Sequence, residues 1–215
     1  MKYTNIPHTD LQVSKICLGT MTWGNQNTLA EGFEQMDYAL ESGINFFDTA
    51  ELYPVPASPD TYGNTERIMG NWFAAHSNRD QVVLATKIAG PGSYTAHIRT
   101  TGFTPSSIRT ALENTLTRLK TDYIDLYQLH WPERNTNFFG KRDYFPETAE
   151  QWEENFQEIL ETLEGFVREG KIRHIGLSNE TPWASMKYIS LSEQKGLPRM
   201  KTIQNPYSLL NRTFE

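Results

Sequence analysis

Short runs that are apolar at nearly every position alternate along this chain with longer stretches whose apolar residues return every three or four positions. The short runs are Ile16 to Met21, Ile44 to Phe47, Val82 to Thr86, Ile124 to Leu129, His174 to Leu177 and Thr202 to Gln204. Continuous apolar character, rather than strict alternation, is what a strand covered on both faces requires. The longer stretches predict helices over Leu29 to Glu41, Thr65 to Ala75, Pro105 to Leu119, Ala149 to Arg168 and Pro182 to Lys195. Thr104 followed by Pro105 has the form of a helix start, a side-chain acceptor ahead of a proline at the first helical position. Before the first run, Tyr3 to Ile6 and Leu11 to Val13 flank His8-Thr9-Asp10 and read as a small hairpin. Repetition of strand and helix predicts an α/β fold, a parallel sheet with right-handed crossovers.

The connections are unequal. Helix-to-strand links are short: Ser42-Gly43, Ser77 to Asp80, Lys120 to Tyr123 and Glu169 to Lys171. Strand-to-helix links are long: Tyr53 to Asn64, Ala89 to Phe103 and Trp131 to Thr148. The long ones leave the carboxyl ends of the strands, where α/β proteins place their sites. An open sheet shares some of this asymmetry, so loop length alone does not separate it from a barrel. The proline-rich stretch Pro54 to Pro59 sits inside one connection and marks no linker, so residues 1–215 are expected to form a single domain.

Composition narrows the function. Lys plus Arg number 20 against 26 Asp plus Glu, a formal charge of −6, and this balance disfavours broad contact with nucleic acid or an anionic membrane. Cys17 is the only cysteine, which excludes an intrachain disulfide and a cysteine-based metal cluster within one chain. The start, Met1-Lys2-Tyr3-Thr4-Asn5, offers no apolar run for a secretion signal, and no later stretch is long enough to span a bilayer. The expected location is the cytoplasm.

Each apolar run stops at a polar residue: Asp48, with Tyr53 five positions on, then Lys87, His130 and Ser178-Asn179, while the sixth carries Gln204 and Asn205 with Tyr207 beyond. In a barrel these strand ends meet at one mouth. A free tyrosine titrates near ~10 and gives up its proton reluctantly; a neighbouring lysine lowers that value and eases transfer to a substrate oxygen. A buried lysine needs a counter-charge, for which Asp48 is placed. His130 could hydrogen-bond and orient a carbonyl oxygen. Together these describe acid-assisted carbonyl reduction, lacking only a hydride source, which no side chain supplies. Plainer roles stand beside each. Asp48 could cap its connection, Lys87 and His130 could be rim residues, and Ser178-Asn179 could start a helix. Gln204 faces in or out according to register, and Tyr207 serves equally in ring stacking or ordinary packing.

The segments Leu18-Gly19-Thr20-Met21, Asn45 to Tyr53, Thr86-Lys87, Asp125 to His130 and Ile175 to Asn179 resemble the aldo-keto reductases, in the branch of bacterial oxidoreductases related to potassium-channel β-subunits. The resemblance runs in order from about Lys2 to Glu215. It implies a (β/α)8 TIM barrel, here about six βα units after an N-terminal β-hairpin, that binds NADP(H) without a Rossmann motif. It implies Tyr53 as general acid, tuned by Lys87 and Asp48, with His130 positioning the carbonyl. Gly19, Thr20, Met21, Asp48, Ser178, Asn179, Gln204 and Tyr207 would contact the cofactor, and Trp23, Tyr53, His130 and Trp131 the substrate.

Two further βα units are implied beyond Glu215, so the chain reads as C-terminally truncated, its first and sixth strands left as edges and its hold on cofactor weak. The function expected is NADPH-dependent reduction of an aldehyde or ketone. The alternatives are a non-enzymatic regulatory subunit on the same fold, or an inactive fragment.

Other chemistry is disfavoured. No histidine pair has zinc spacing, and His8, His76, His97 and His174 read as surface or packing residues. Gly176-Leu177-Ser178-Asn179-Glu180 lacks the second glycine of a nucleophile elbow, and no GxGxxG occurs. The loop from Trp131 to Phe145 holds Phe138, Phe139, Tyr144 and Phe145 among Arg134, Lys141 and Arg142, a wall for a hydrophobic carbonyl compound or a fastening to the rim.

Overall fold

The computed structural model describes residues 1–139, 144–145 and 152–214. A two-stranded antiparallel hairpin, β1 (Tyr3–Asn5) and β2 (Gln12–Ser14), precedes a six-stranded sheet. That sheet comprises β3 (Cys17–Gly19), β4 (Phe46–Asp48), β5 (Val83–Ile88), β6 (Ile124–Leu129), β7 (Ile172–Ser178) and β8 (Met200–Gln204). All pairings are parallel, and spatial order equals chain order. Helices α1 (Leu29–Glu41), α2 (Asn64–His76), α3 (Pro105–Leu119), α4 (Phe156–Arg168) and α5 (Pro182–Lys195) make the crossovers. This is the winding of a (β/α) barrel, with β3 and β8 each paired on one side only among the described residues.

The helices form where sequence and capping agree. Thr28 closes a capping box with Glu31 at the start of α1. Thr104 and Thr181 each accept a backbone N–H ahead of a proline, opening α3 and α5. In α4, Phe156, Ile159, Leu160, Leu163 and Phe166 make one buried stripe. They pack in a single core with Phe47, Leu84, Tyr127, Leu129 and Ile175 of the strands and Met36, Trp72 and Leu112 of the neighbouring helices.

Most boundaries shift from expectation by one or two residues, as at β7 and β8, which start at Ile172 and Met200, and two of the shifts bear on the site. β5 runs through Lys87 to Ile88, so Lys87 lies within its strand rather than beyond it. The helix expected over Ala149 to Arg168 begins at Phe156; residues 149–151 lie outside the described residues. Ahead of Phe156 the chain is held otherwise: Arg134 stacks on the rings of Trp152 and Phe156, and Asn155 Nδ2 donates to Glu133 Oε2 at 2.9 Å. Lys141 and Arg142 also lie outside the described residues.

The hairpin closes the amino end of the sheet. Ile6, Leu11 and Val13 pack on Phe46 and Val83, and Asn45 is bonded to both Ser14 and Gln12. No helix among the described residues is long and apolar enough to cross a membrane.

Candidate active site

Five strand ends converge on one side of the sheet. Asp48 closes β4 in register with Ala85; Lys87 of β5 is level with Gln128 of β6; Ser178 closes β7 opposite Gln204. His130 follows β6 directly, its backbone N–H donating to Ile88 O at 3.0 Å. On β5, Leu84 and Ile88 belong to the helix-side core while Lys87 points to the other face. A one-residue slip would put the ammonium among the helices, so the pleat decides where the charge goes.

Lys87 is 1% exposed, and its Nζ donates to Asp48 Oδ2 at 2.6 Å and to Thr49 O at 2.8 Å. The same ammonium lies 5.1 Å from the centre of the Tyr53 ring. The Tyr53 and His130 rings meet edge to face at 5.7 Å. Burial works to lower the Lys87 pKa, but Asp48 and Tyr53 together outweigh it and the net direction is up. For Tyr53 the expectation of a lowered pKa is corrected: burial raises the phenol, and Lys87 offsets only part of that. Burial, with the Lys87 charge second, holds His130 well below the ordinary imidazole value, so it is neutral at pH 7.

Tyr53, Lys87, His130, Ser178, Asn179 and Gln204 line one cleft of about 460 Å³. Asn179 takes a left-handed backbone (φ 53°), and its Nδ2 donates to His130 O at 2.9 Å and Ser178 Oγ at 3.0 Å. Two buried polar atoms in this lining have no partner among the described residues, His130 Nδ1 and Asn205 Nδ2.

Other expected site residues fall elsewhere. Trp23 is 1% exposed in the core under α1 and α2, its Nε1 donating to Gln35 Oε1 at 3.0 Å, so it does not wall the cleft. Large size and sequence proximity to Met21 suggested the mouth, but the turn after β3 folds the ring back onto Gly32 and Ile68. Thr20 is fully buried, and its hydroxyl donates to Asp48 O at 2.9 Å. Gly19 and Met21 are exposed at the end of β3, and Tyr207, 63% exposed, follows Pro206 of the lining. Trp131 is buried behind His130, stacked between Tyr94 and Phe138, with Nε1 donating to Pro91 O. Phe139, from the aromatic loop read as a wall or a fastening, lines the cleft, as do Asn205 and Asn211, which were not singled out as site residues. Asn205 follows Gln204 and was legible by that adjacency; Asn211 carried no signal. Among the described residues no cluster of His, Cys, Asp or Glu could hold a metal ion.

The aldo/keto reductase family model matches residues 15–215. Protein tas of Escherichia coli (strain K12) is 46% identical over 226 residues, covering 100% of this chain and 62% of that protein. The uncharacterized oxidoreductase YrpG of Bacillus subtilis (strain 168) is 39% identical, covering 100% and 60%. The norsolorinic acid reductase stcV of Emericella nidulans is 31% identical, covering 97% and 50%. The crystal structure of the thermostable aldo-keto reductase Tm1743, complexed with the inhibitor epalrestat, superposes with a TM-score of 0.70 at 26% identity, over 99% of this chain and 65% of that one. The chain thus spans about three-fifths of the length of Protein tas and of YrpG. The match covers every strand of the six-stranded sheet and the polar strand ends that meet in the cleft, and the chain belongs to the aldo/keto reductase family.

Proposed function

We propose that the protein reduces an aldehyde or ketone to an alcohol, with NADP(H) as hydride donor and Tyr53 as general acid. The observation that carries this reading is the buried ion pair Lys87–Asp48, at 2.6 Å, set against the Tyr53 ring in a cleft that also presents His130. Membership of the family supports it, as do relatives named as oxidoreductase and as norsolorinic acid reductase. In this reading residues 1–215 work as one domain, in the cytoplasm, on a small-molecule carbonyl compound.

The lining fits a nicotinamide carboxamide, which needs both donors and acceptors: Ser178, Asn179 and Gln204 offer them, and the Nδ2 of Asn205 is buried there with no partner among the described residues. Ser178, Asn179 and Gln204 would hold that group, Gly19, Thr20 and Met21 would flank it beside Asp48, and Tyr207 would pack on the ring. A reduced nicotinamide supplies the hydride. The chain's own residues manage the proton. Burial keeps the Tyr53 phenol protonated at neutral pH, so a proton is present to give to the carbonyl oxygen. As it leaves, the Lys87 ammonium stabilises the phenolate, and Asp48 keeps that ammonium charged. Neutral His130 has one ring N–H to donate to the same oxygen, fixing its direction. Trp131 backs the wall on which the carbonyl compound rests.

Tyr53→Phe in the intact protein tests the reading. It removes one hydroxyl and no packing, so carbonyl reduction should fall about 10²–10⁴-fold while cofactor affinity, followed by fluorescence, stays unchanged. Turnover that survives the change removes Tyr53 from the role.

A further inference from the structure

Beside Tyr53, hidden from the cleft, lies a carboxylate with no part in the proton transfer. Glu51 is 0% exposed, three residues after Asp48 and two before Tyr53. Its Oε1 accepts from Ala89 N at 2.6 Å and from Arg99 Nη1 at 2.5 Å; its Oε2 accepts from Arg99 Nη2 at 2.8 Å. Arg99 Nη1 also donates to Ala89 O at 2.7 Å, and the Glu51 backbone N–H donates to Lys87 O at 3.1 Å. The fork therefore joins three pieces of chain: the segment that carries Tyr53, the end of β5 just past Lys87, and the loop that holds Arg99.

An ion pair so deeply buried is a poor source of stability, because desolvating both charges cancels much of their attraction. Apolar side chains would fill the same volume. What a bidentate arginine–carboxylate fork adds is direction, two parallel bonds of fixed geometry. Here that direction bears on the separation between Tyr53 and Lys87. Tyr53 sits in a small cluster with Ala50, Leu52, Ala89 and Trp131 and meets the His130 ring edge to face, apolar and ring contacts that fix no bond direction. We propose that Glu51 and Arg99 are positioning residues that set the Tyr53 phenol against the Lys87 ammonium.

The inference rests on Tyr53 being the acid, so Tyr53→Phe is measured alongside. Glu51→Gln keeps a side-chain acceptor for Ala89 N and removes the ion pair. Arg99→Lys keeps the charge and removes the fork, and Glu51→Gln with Arg99→Met restores charge balance should the single change fail to fold. With the phenol displaced, kcat should fall about 10–100-fold while KM and cofactor affinity stay near wild type, since neither residue touches the cleft. Arg99→Lys should keep part of the rate. If Tyr53→Phe is inactive but the folded Glu51 and Arg99 variants turn over at the wild-type rate, the positioning role is overturned and the reductase reading stands. A loss shared by KM, affinity and thermal stability would also overturn it, showing a general structural part. An active Tyr53→Phe would remove both.

Discussion

At the amino end of the sheet, Asp125 is 1% exposed and is met from three sides. Arg79 Nη2 donates to its Oδ2 at 2.7 Å, Leu84 N to the same oxygen at 3.0 Å, and Arg173 Nη1 to Oδ1 at 2.5 Å. Arg79 spends its other donors on Val82 O, Tyr123 O and Thr121 Oγ1 and lies over the Tyr123 ring, and Arg173 reaches on to Asp10 of the hairpin. At the carboxyl end, Lys87 and Asp48 form an equally short pair, but around it His130 Nδ1 and Asn205 Nδ2 are buried without partners among the described residues, and a cleft of about 460 Å³ opens. One end saturates its charges with neighbours; the other leaves polar capacity unspent. Unspent buried capacity costs free energy, and beside an open cleft a ligand can recover that cost. The same chemistry thus marks a fastening at one end and a site at the other.

Substitutions can break this comparison. Lys87→Met should have the largest effect, since it strands Asp48: carbonyl reduction should fall about 10²–10⁴-fold and stability by ~3–5 kcal/mol. Adding Asp48→Leu should recover the stability in a urea titration without recovering activity. If turnover returned with it, the pair would be a fastening like the one below.

Arg79→Met at the opposite end should cost ~3 kcal/mol of unfolding free energy while kcat stays as it was. A fall in kcat per folded molecule would mean that the two ends are coupled.

The smallest effect belongs to Asp10, whose hydrogen bond to His174, with Arg173 second, lowers its pKa from 3.8 to about 2. Because the folded-state value lies below the ordinary one, its contribution is complete well above pH 3.8 and is lost as pH falls through about 2. Asp10 is largely exposed, so salt should weaken the effect further. Thermal melts of Asp10→Asn should differ from wild type at neutral pH and converge with it in acid; a difference that persisted in acid would remove the electrostatic account.

Much of the architecture was legible because it rests on local signals. Apolar runs placed all six strands, and the Thr-Pro start placed α3 to the residue. Asp48, Tyr53, Lys87 and His130 could be grouped from the sequence because each sits at or near the end of a run, and winding brings such ends together. The failures have a common cause. The lowered phenol pKa was argued from one neighbour, whereas burial, a property of everything around Tyr53, carries the larger weight. Trp23 was taken for a pocket wall from its place in the chain, but the turn after β3 carries its ring into the helix-side core. His174 read as surface or packing, and the structure adds its partner, with Nε2 2.9 Å from Asp10 Oδ1, a contact across 164 positions that no local pattern announces.

From the sequence alone came the order of strands and helices, the family and the chemical identity of the groups at the strand ends, because periodicity, capping and residue type are written locally. The tertiary structure alone decided the pairings no local signal named, that Glu51 is held by Arg99 while Asn205 Nδ2 has no partner among the described residues, and it set Lys87 on the expected Asp48 rather than among the helices. Pairing depends on register and on burial, and both arise only when segments far apart in the chain exclude water together.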